Sequence, residues 1–119
     1  KYEKRFGLPT RIDQLKKHSL IGATGTMNRL PAFIWLDKHL SIQIITRCDD
    51  LTAMSYFVES GQGLAILPDD QCRPGLKRLF GFKESQASHL WLLTHPDLRN
   101  VERIKLVMQH LAKAFSKEW

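Results

Sequence analysis

Cysteine is scarce in this chain: Cys48 and Cys72 are the two it contains. They are too few for a disulfide framework, and that usage fits a reducing, cytoplasmic setting. Long apolar runs are missing as well. The longest, around Leu90–Leu93, is strand-sized, far short of the ~20 residues that cross a bilayer, so no membrane partner is expected. No secretory signal stands at the start, but the chain opens on Lys1 rather than methionine, so that absence carries no weight. Nor is there a basic run interleaved with aromatics. The net charge is +6, from 18 basic and 12 acidic residues, but the excess is scattered, which reads as solvated faces rather than a nucleic-acid surface. The five histidines show no metal-ligand spacing with one another or with the cysteines, so no metal is expected. There is no G-x-S-x-G elbow and no Ser/His/Asp set to assemble a nucleophile. Gly61 and Gly63 are half of a dinucleotide fingerprint and follow a helix instead of opening one, so no cofactor is expected and the pair reads as a turn device.

What is present suits one α/β domain of 119 residues, 43% apolar and 25% charged, large enough for a core without staples. The most informative stretch is Ser41–Pro68, SIQIITRCDDLTAMSYFVESGQGLAILP. Ser41–Thr46 carries three isoleucines and a threonine, the β-branched enrichment of a buried strand. Asp49 and Asp50 follow as an N-cap and first-turn pair, since carboxylates accept orphan N–H groups and suit the positive end of a helix. Leu51, Met54, Phe57 and Val58 then recur at helical spacing. Gly61 supplies a left-handed stop, Gly63 a tight turn, and Leu64–Leu67 a second buried strand. The pattern predicts a βαβ unit with a helix start at the carboxyl end of a strand, where ligands bind in open α/β sheets.

Elsewhere, Ile12 and Leu15 mark a short helix, Ser19–Ala23 a strand, Thr24–Thr26 a loop, and Pro31 opens a helix to about His39. Asp69–Gln71 reads as a single turn, Leu76–Phe80 as an edge strand and Gly81–Ser88 as an internal boundary. His89–Thr94 reads as a strand buried on both faces, and Trp35, Phe57 and Trp91 as core. The final helix, about Leu98–Lys117, sets Val101, Ile104, Met108, Leu111 and Phe115 on one face.

These segments in this order resemble a known family. The helix opening Asp50-Leu51-Thr52-Ala53-Met54, the turn and strand Gly61–Pro68, the Leu76–Phe80 stretch LKRLF and the run Leu90–Arg99, LWLLTHPDLR, are similar to the effector-binding domain of LysR-type transcriptional regulators. Upstream, Tyr2–Gly7, Pro9 and Ile12–Leu15 also match the family pattern. The resemblance implies a mostly parallel, βαβ-built sheet flanked by helices, one lobe of a type II periplasmic-binding-protein-like fold plus the last strand and helix of the other lobe. Residues 1–85 would be the second lobe and residues 86–119 the returning strand and helix of the first, with the rest of that lobe and the DNA-binding domain outside the chain.

The resemblance also implies a cytoplasmic, non-enzymatic sensor. A small-molecule effector would bind between the lobes, in a homo-oligomer that meets DNA only through an N-terminal helix-turn-helix. Carried over, the effector site is Thr24, Thr46, Arg47, Cys48, Asp49, Asp50 and Leu51. The plainer reading of the same residues makes Asp49 and Asp50 caps, Thr46 a strand residue and Cys48 an inert packed thiol instead of a redox sensor. Two carboxylates at the helix start oppose an acidic effector unless Arg47 turns inward to form a bidentate contact. An extracytoplasmic solute-binding protein of similar fold is the alternative function. An α/β enzyme lacks any assembled catalytic constellation.

Overall fold

The uncharged run Leu20–Ala23 forms strand β1, buried at all four positions, and the rest of its surroundings are organised on it. In the computed structural model, which describes residues 1–81 and 91–116, the chain divides into two compact units, Lys1–Gln86 and Ala87–Trp119.

In the first unit, helix α1 (Tyr2–Phe6) leads to a 3-10 segment at Ile12–Lys17, then β1, a 3-10 turn at Gly25–Arg29 and helix α2 (Pro31–Leu40). Strand β2 (Ile44–Cys48) and helix α3 (Leu51–Ser60) follow. β2 lies parallel to β1, pairing Leu20 with Ile44, Ile21 with Thr46, Gly22 with Arg47 and Ala23 with Cys48. The register jumps after Leu20, which leaves Ile45 with no opposite residue. On the other edge of β1, Leu64 makes a single parallel bridge to Leu20, with Ile21 N–H donating to Leu64 O at 2.8 Å and Leu64 N–H to Ser19 O at 2.9 Å. β1 is therefore central. By the right-handed rule for such crossovers, running first to one edge and then back across to the other sets α2 and α3 on opposite faces. That arrangement accounts for a strand buried on both sides.

The core gathers Leu20 and Ile21 from β1, Phe33, Leu36 and Leu40 from α2, Met54 from α3, and Leu64. Ile21, Leu36, Met54 and Ser55 are fully enclosed. Helix α1, which the sequence did not suggest, is anchored by Tyr2: its hydroxyl accepts the Ser19 N–H at 3.2 Å and lies 2.9 Å from His18 Nδ1. On α3, Arg73 fastens the segment after the Asp69–Gln71 turn. Its guanidinium donates to Ser55 Oγ at 3.1 Å and Glu59 Oε2 at 2.9 Å and lies 3.9 Å from the centre of the Tyr56 ring.

Several expectations are corrected. Ser41–Gln43 forms a 3-10 turn and the strand is Ile44–Cys48. β1 begins its pairing at Leu20, opposite Ile44, so the earlier residues have no partner strand. Ile42 is 89% exposed and the strand itself is only half-buried. Thr24–Thr26 is not a plain loop, since Gly25 opens a 3-10 turn. Leu64–Leu67 reduces to the one bridge at Leu64, and Ala65, Ile66 and Leu67 pack against the core without joining a strand. Leu76–Phe80 forms no strand: Leu79 and Phe80 pack on the core from irregular chain. The Ile12–Lys17 helix is 3-10 in form.

In the second unit, Pro96–Leu98 is a 3-10 turn and helix α4 spans Glu102–Ser116. The final helix starts later than expected because the turn at Pro96, capped by His95 Nδ1 accepting the Asp97 N–H, ends before Arg99 and Asn100. Val101, Ile104, Met108 and Leu111 are the half-buried positions, as the spacing predicted, whereas Phe115 is exposed. His89 and Leu90 lie outside the described residues. Residues 91–94 form no strand, and Trp91 and Leu93 are 77% and 83% exposed. A doubly buried strand needs strands on its flanks, and the described residues of this unit contain none.

A Cβ built on Gly63 would sit 2.7 Å from Ser19 O, a backbone atom with no freedom to retreat. Gly63 thus serves close approach of the chain to β1. Gly63→Ala is expected to cost about 1–3 kcal/mol by forcing that bridge apart, read as a lower midpoint in urea denaturation; an unchanged midpoint would refute this account.

Candidate functional site

The carboxyl ends of β1 and β2 finish side by side. Ala23 pairs with Cys48, and Thr24 N–H donates to Cys48 O at 2.9 Å, which holds the two exits in register. Gly25 adopts φ +63°, and a Cβ there would lie 3.8 Å from the Asp49 Cβ, so the turn after β1 runs alongside the start of α3. The structure therefore brings Thr24 together with Cys48, Asp49, Asp50 and Leu51.

Asp50 is the N-cap of α3, its carboxylate accepting the Ala53 N–H at 2.7 Å. At the other end Gly61 has φ +89°, the left-handed stop that the sequence announced. The N–H groups of Leu51 and Thr52 have no partner within the helix, as in any first turn. Asp49 and Thr24 are exposed and Leu51 is half-buried. Thr46 is set back from the rim, opposite Ile21.

Two of the expected site residues are committed elsewhere. Cys48 is buried, and that burial, with the charges of Asp49 and Asp50 behind it, pushes its thiol pKa upward. A neutral packed thiol follows, without the thiolate character that redox sensing requires. Arg47 does not turn to the strand exits as a free cation. Its Nη2 donates to Asp37 Oδ1 on α2 at 2.6 Å and its Nη1 to Ala23 O at 2.9 Å.

Asp37 and Asn28 escaped the sequence reading. The Arg47 hydrogen bond holds the Asp37 carboxyl below its ordinary pKa, with smaller help from the Asn28 amide and against some desolvation. Asn28 Oδ1, in the turn after β1, is buried and has no hydrogen-bond partner among the described residues. No local pattern links Asp37 to Arg47, because the contact depends on how α2 folds back along β2.

Chemically, the rim offers hydroxyls, unpaired N–H groups and carboxylates, a set that holds a small polar molecule by hydrogen bonds. Among the described residues, no group of three or more His, Cys, Asp or Glu could hold a metal ion, and no helix is long and apolar enough to cross a membrane.

Compared with known proteins, the chain matches the family model described as the LysR substrate binding domain over residues 3–116. No curated protein and no solved structure matches it.

Two outcomes follow from this geometry. Because the folded-state pKa of Asp37 is depressed, its clasp contributes stability above the unfolded value of about 4 and loses it as pH falls through the folded value. The difference in urea midpoint between the native chain and Asp37→Asn should be present at neutral pH and vanish in acid; a difference independent of pH would refute it. In the native chain, a thiol reagent should label exposed Cys72 promptly and reach Cys48 only on unfolding. Equal labelling rates would contradict the buried, neutral thiol.

Proposed function

This chain belongs to the LysR substrate binding domain family, and on that premise we propose that it is the effector-sensing part of a LysR-type transcriptional regulator. The family match across residues 3–116 carries the reading, since that family binds ligands for regulation and is not a family of enzymes. It also favours a regulator over the solute-binding alternative.

In this reading a small polar effector sits at the strand exits, against the hydroxyls of Thr24 and Thr46, the backbone N–H groups that follow Asp50, and the side chains of Asp49 and Leu51. Cys48 and Arg47 shape the site from behind. Residues 1–85 are the second lobe and residues 86–119 the returning part of the first, a reading supported by the division of the chain after Gln86. The effector acts by binding two arrangements of a homo-oligomer unequally, which needs a coupling of ~1–3 kcal/mol. DNA is contacted by an N-terminal helix-turn-helix of the complete regulator, in the cytoplasm, and these residues do no catalysis.

The test is DNA binding by the chain itself, followed by fluorescence anisotropy over a range of salt. With its +6 charge scattered, the chain should bind duplexes weakly, without sequence preference, and lose that binding steeply as salt rises. Tight, sequence-specific binding would overturn the assignment. So would a complete coding sequence that carries a secretory signal in place of a helix-turn-helix.

A further inference from the structure

An acidic effector bound at strand exits and a helix start needs N–H donors and a cation to meet its charge. The donors are here, but the charges are set against it. Asp50 already fills the cap by accepting the Ala53 N–H, and Asp49 stands beside it at the same helix start. Arg47, at the base of the site, is held by Asp37 at 2.6 Å and by the Ala23 carbonyl at 2.9 Å. These bonds take two of its five N–H groups and set its charge against Asp37, so a ligand carboxylate would meet a pair that is already neutral. Counted together, Arg47, Asp37, Asp49 and Asp50 sum to a charge of −2 (one positive, three negative).

We propose that Asp37, by clasping Arg47, is the specificity-determining residue of the effector site, and that the site takes small molecules presenting N–H or O–H donors and no carboxylate. The proposal rests on the effector reading above and deepens it. Hydroxyl and carboxylate oxygens at Thr24, Asp49 and Thr46 accept from such a ligand. The carbonyl bond of Arg47 keeps the guanidinium against the end of β1, so that removing the Asp37 charge exposes a donor edge close to the site without moving it far.

The experiment uses the complete regulator and charge-matched probes: benzoate, benzamide and benzylamine, and succinate, succinamide and butane-1,4-diamine. Binding is read by isothermal titration. For the unmodified protein, amides and amines should bind in preference to the matching carboxylates. Asp37→Asn should raise carboxylate affinity roughly tenfold, the order expected of one charge-assisted hydrogen bond, and leave amide affinity unchanged. Arg47→Met in the Asp37→Asn background should abolish the gain.

A gain that survives without Arg47 overturns the clasp, since loss of negative charge alone would then explain it. Carboxylate preference in the unmodified protein overturns the proposal through whichever cation it acts, exposed Arg29 included, while leaving the effector reading intact. That arm needs no variant to fold. Binding of no probe of any charge overturns the effector reading itself, and this inference with it.

Discussion

Pairing of β1 on both of its edges is the constraint on which the first unit depends. A strand of four residues has few ladder bonds to offer, and this one divides them between β2 and the single bridge at Leu64. Burial makes those bonds matter, because an unpaired N–H or C=O in the interior costs about 1–3 kcal/mol. The two crossovers then have little choice. Each must return its chain to an edge of β1, and the helix between is pressed onto the face it crosses. The strand exits fall together for the same reason: once Ala23 is opposite Cys48, the turn at Gly25 and the cap at Asp50 have to share one rim.

The Arg47–Asp37 pair belongs to that rim more than to the stability of the fold. Its side chains are 40% and 29% exposed, and an ion pair in such a setting is worth about 0–1 kcal/mol. Losing it would scarcely unfold a domain. What it fixes is direction. A long side chain with many rotamers is brought to one position by two acceptors on different elements, the carboxylate on α2 and the carbonyl at the end of β1. The exit of β1 is braced as a result, and the guanidinium's charge is met by the carboxylate.

Much of this was legible in the sequence wherever the signal was local. The cap at Asp50, the stripe Leu51, Met54, Phe57 and Val58, and the stop at Gly61 each rest on contacts within one helix, and the structure has all three. Pro31 opens α2 for the same kind of reason. The strands fared less well, because a strand is defined by its neighbour. Isoleucine content marked Ser41–Thr46, but the partner starts at Leu20, which moves the ladder to Ile44–Cys48. Leu64–Leu67 and Leu76–Phe80 have strand composition, yet the first makes a single bridge to β1 and the second pairs with no strand among the described residues. Trp91 and Leu93 likewise carried a buried pattern that needs strands alongside, and the described part of their unit has none. At the site, the residue types were readable while the wiring was not: Asp37 reaches Arg47 only through the return of α2 along β2.

One residue ties the local stability of α3 to the chemistry of the rim. Asp50 caps the helix through its bond to the Ala53 N–H, a contact worth typically about 1 kcal/mol. The same carboxylate cancels part of the positive end of the helix, the feature that would otherwise draw an anion. Serine or threonine would cap nearly as well and leave that end attractive to acids. Aspartate gives up the attraction, and Asp49 beside it adds a second negative charge. With Arg47 turned to Asp37, its positive charge is met there and does not offset Asp49 and Asp50. The carboxylate that caps α3 therefore also leaves negative charge at the rim, and a serine at this position would keep the first property while removing the second.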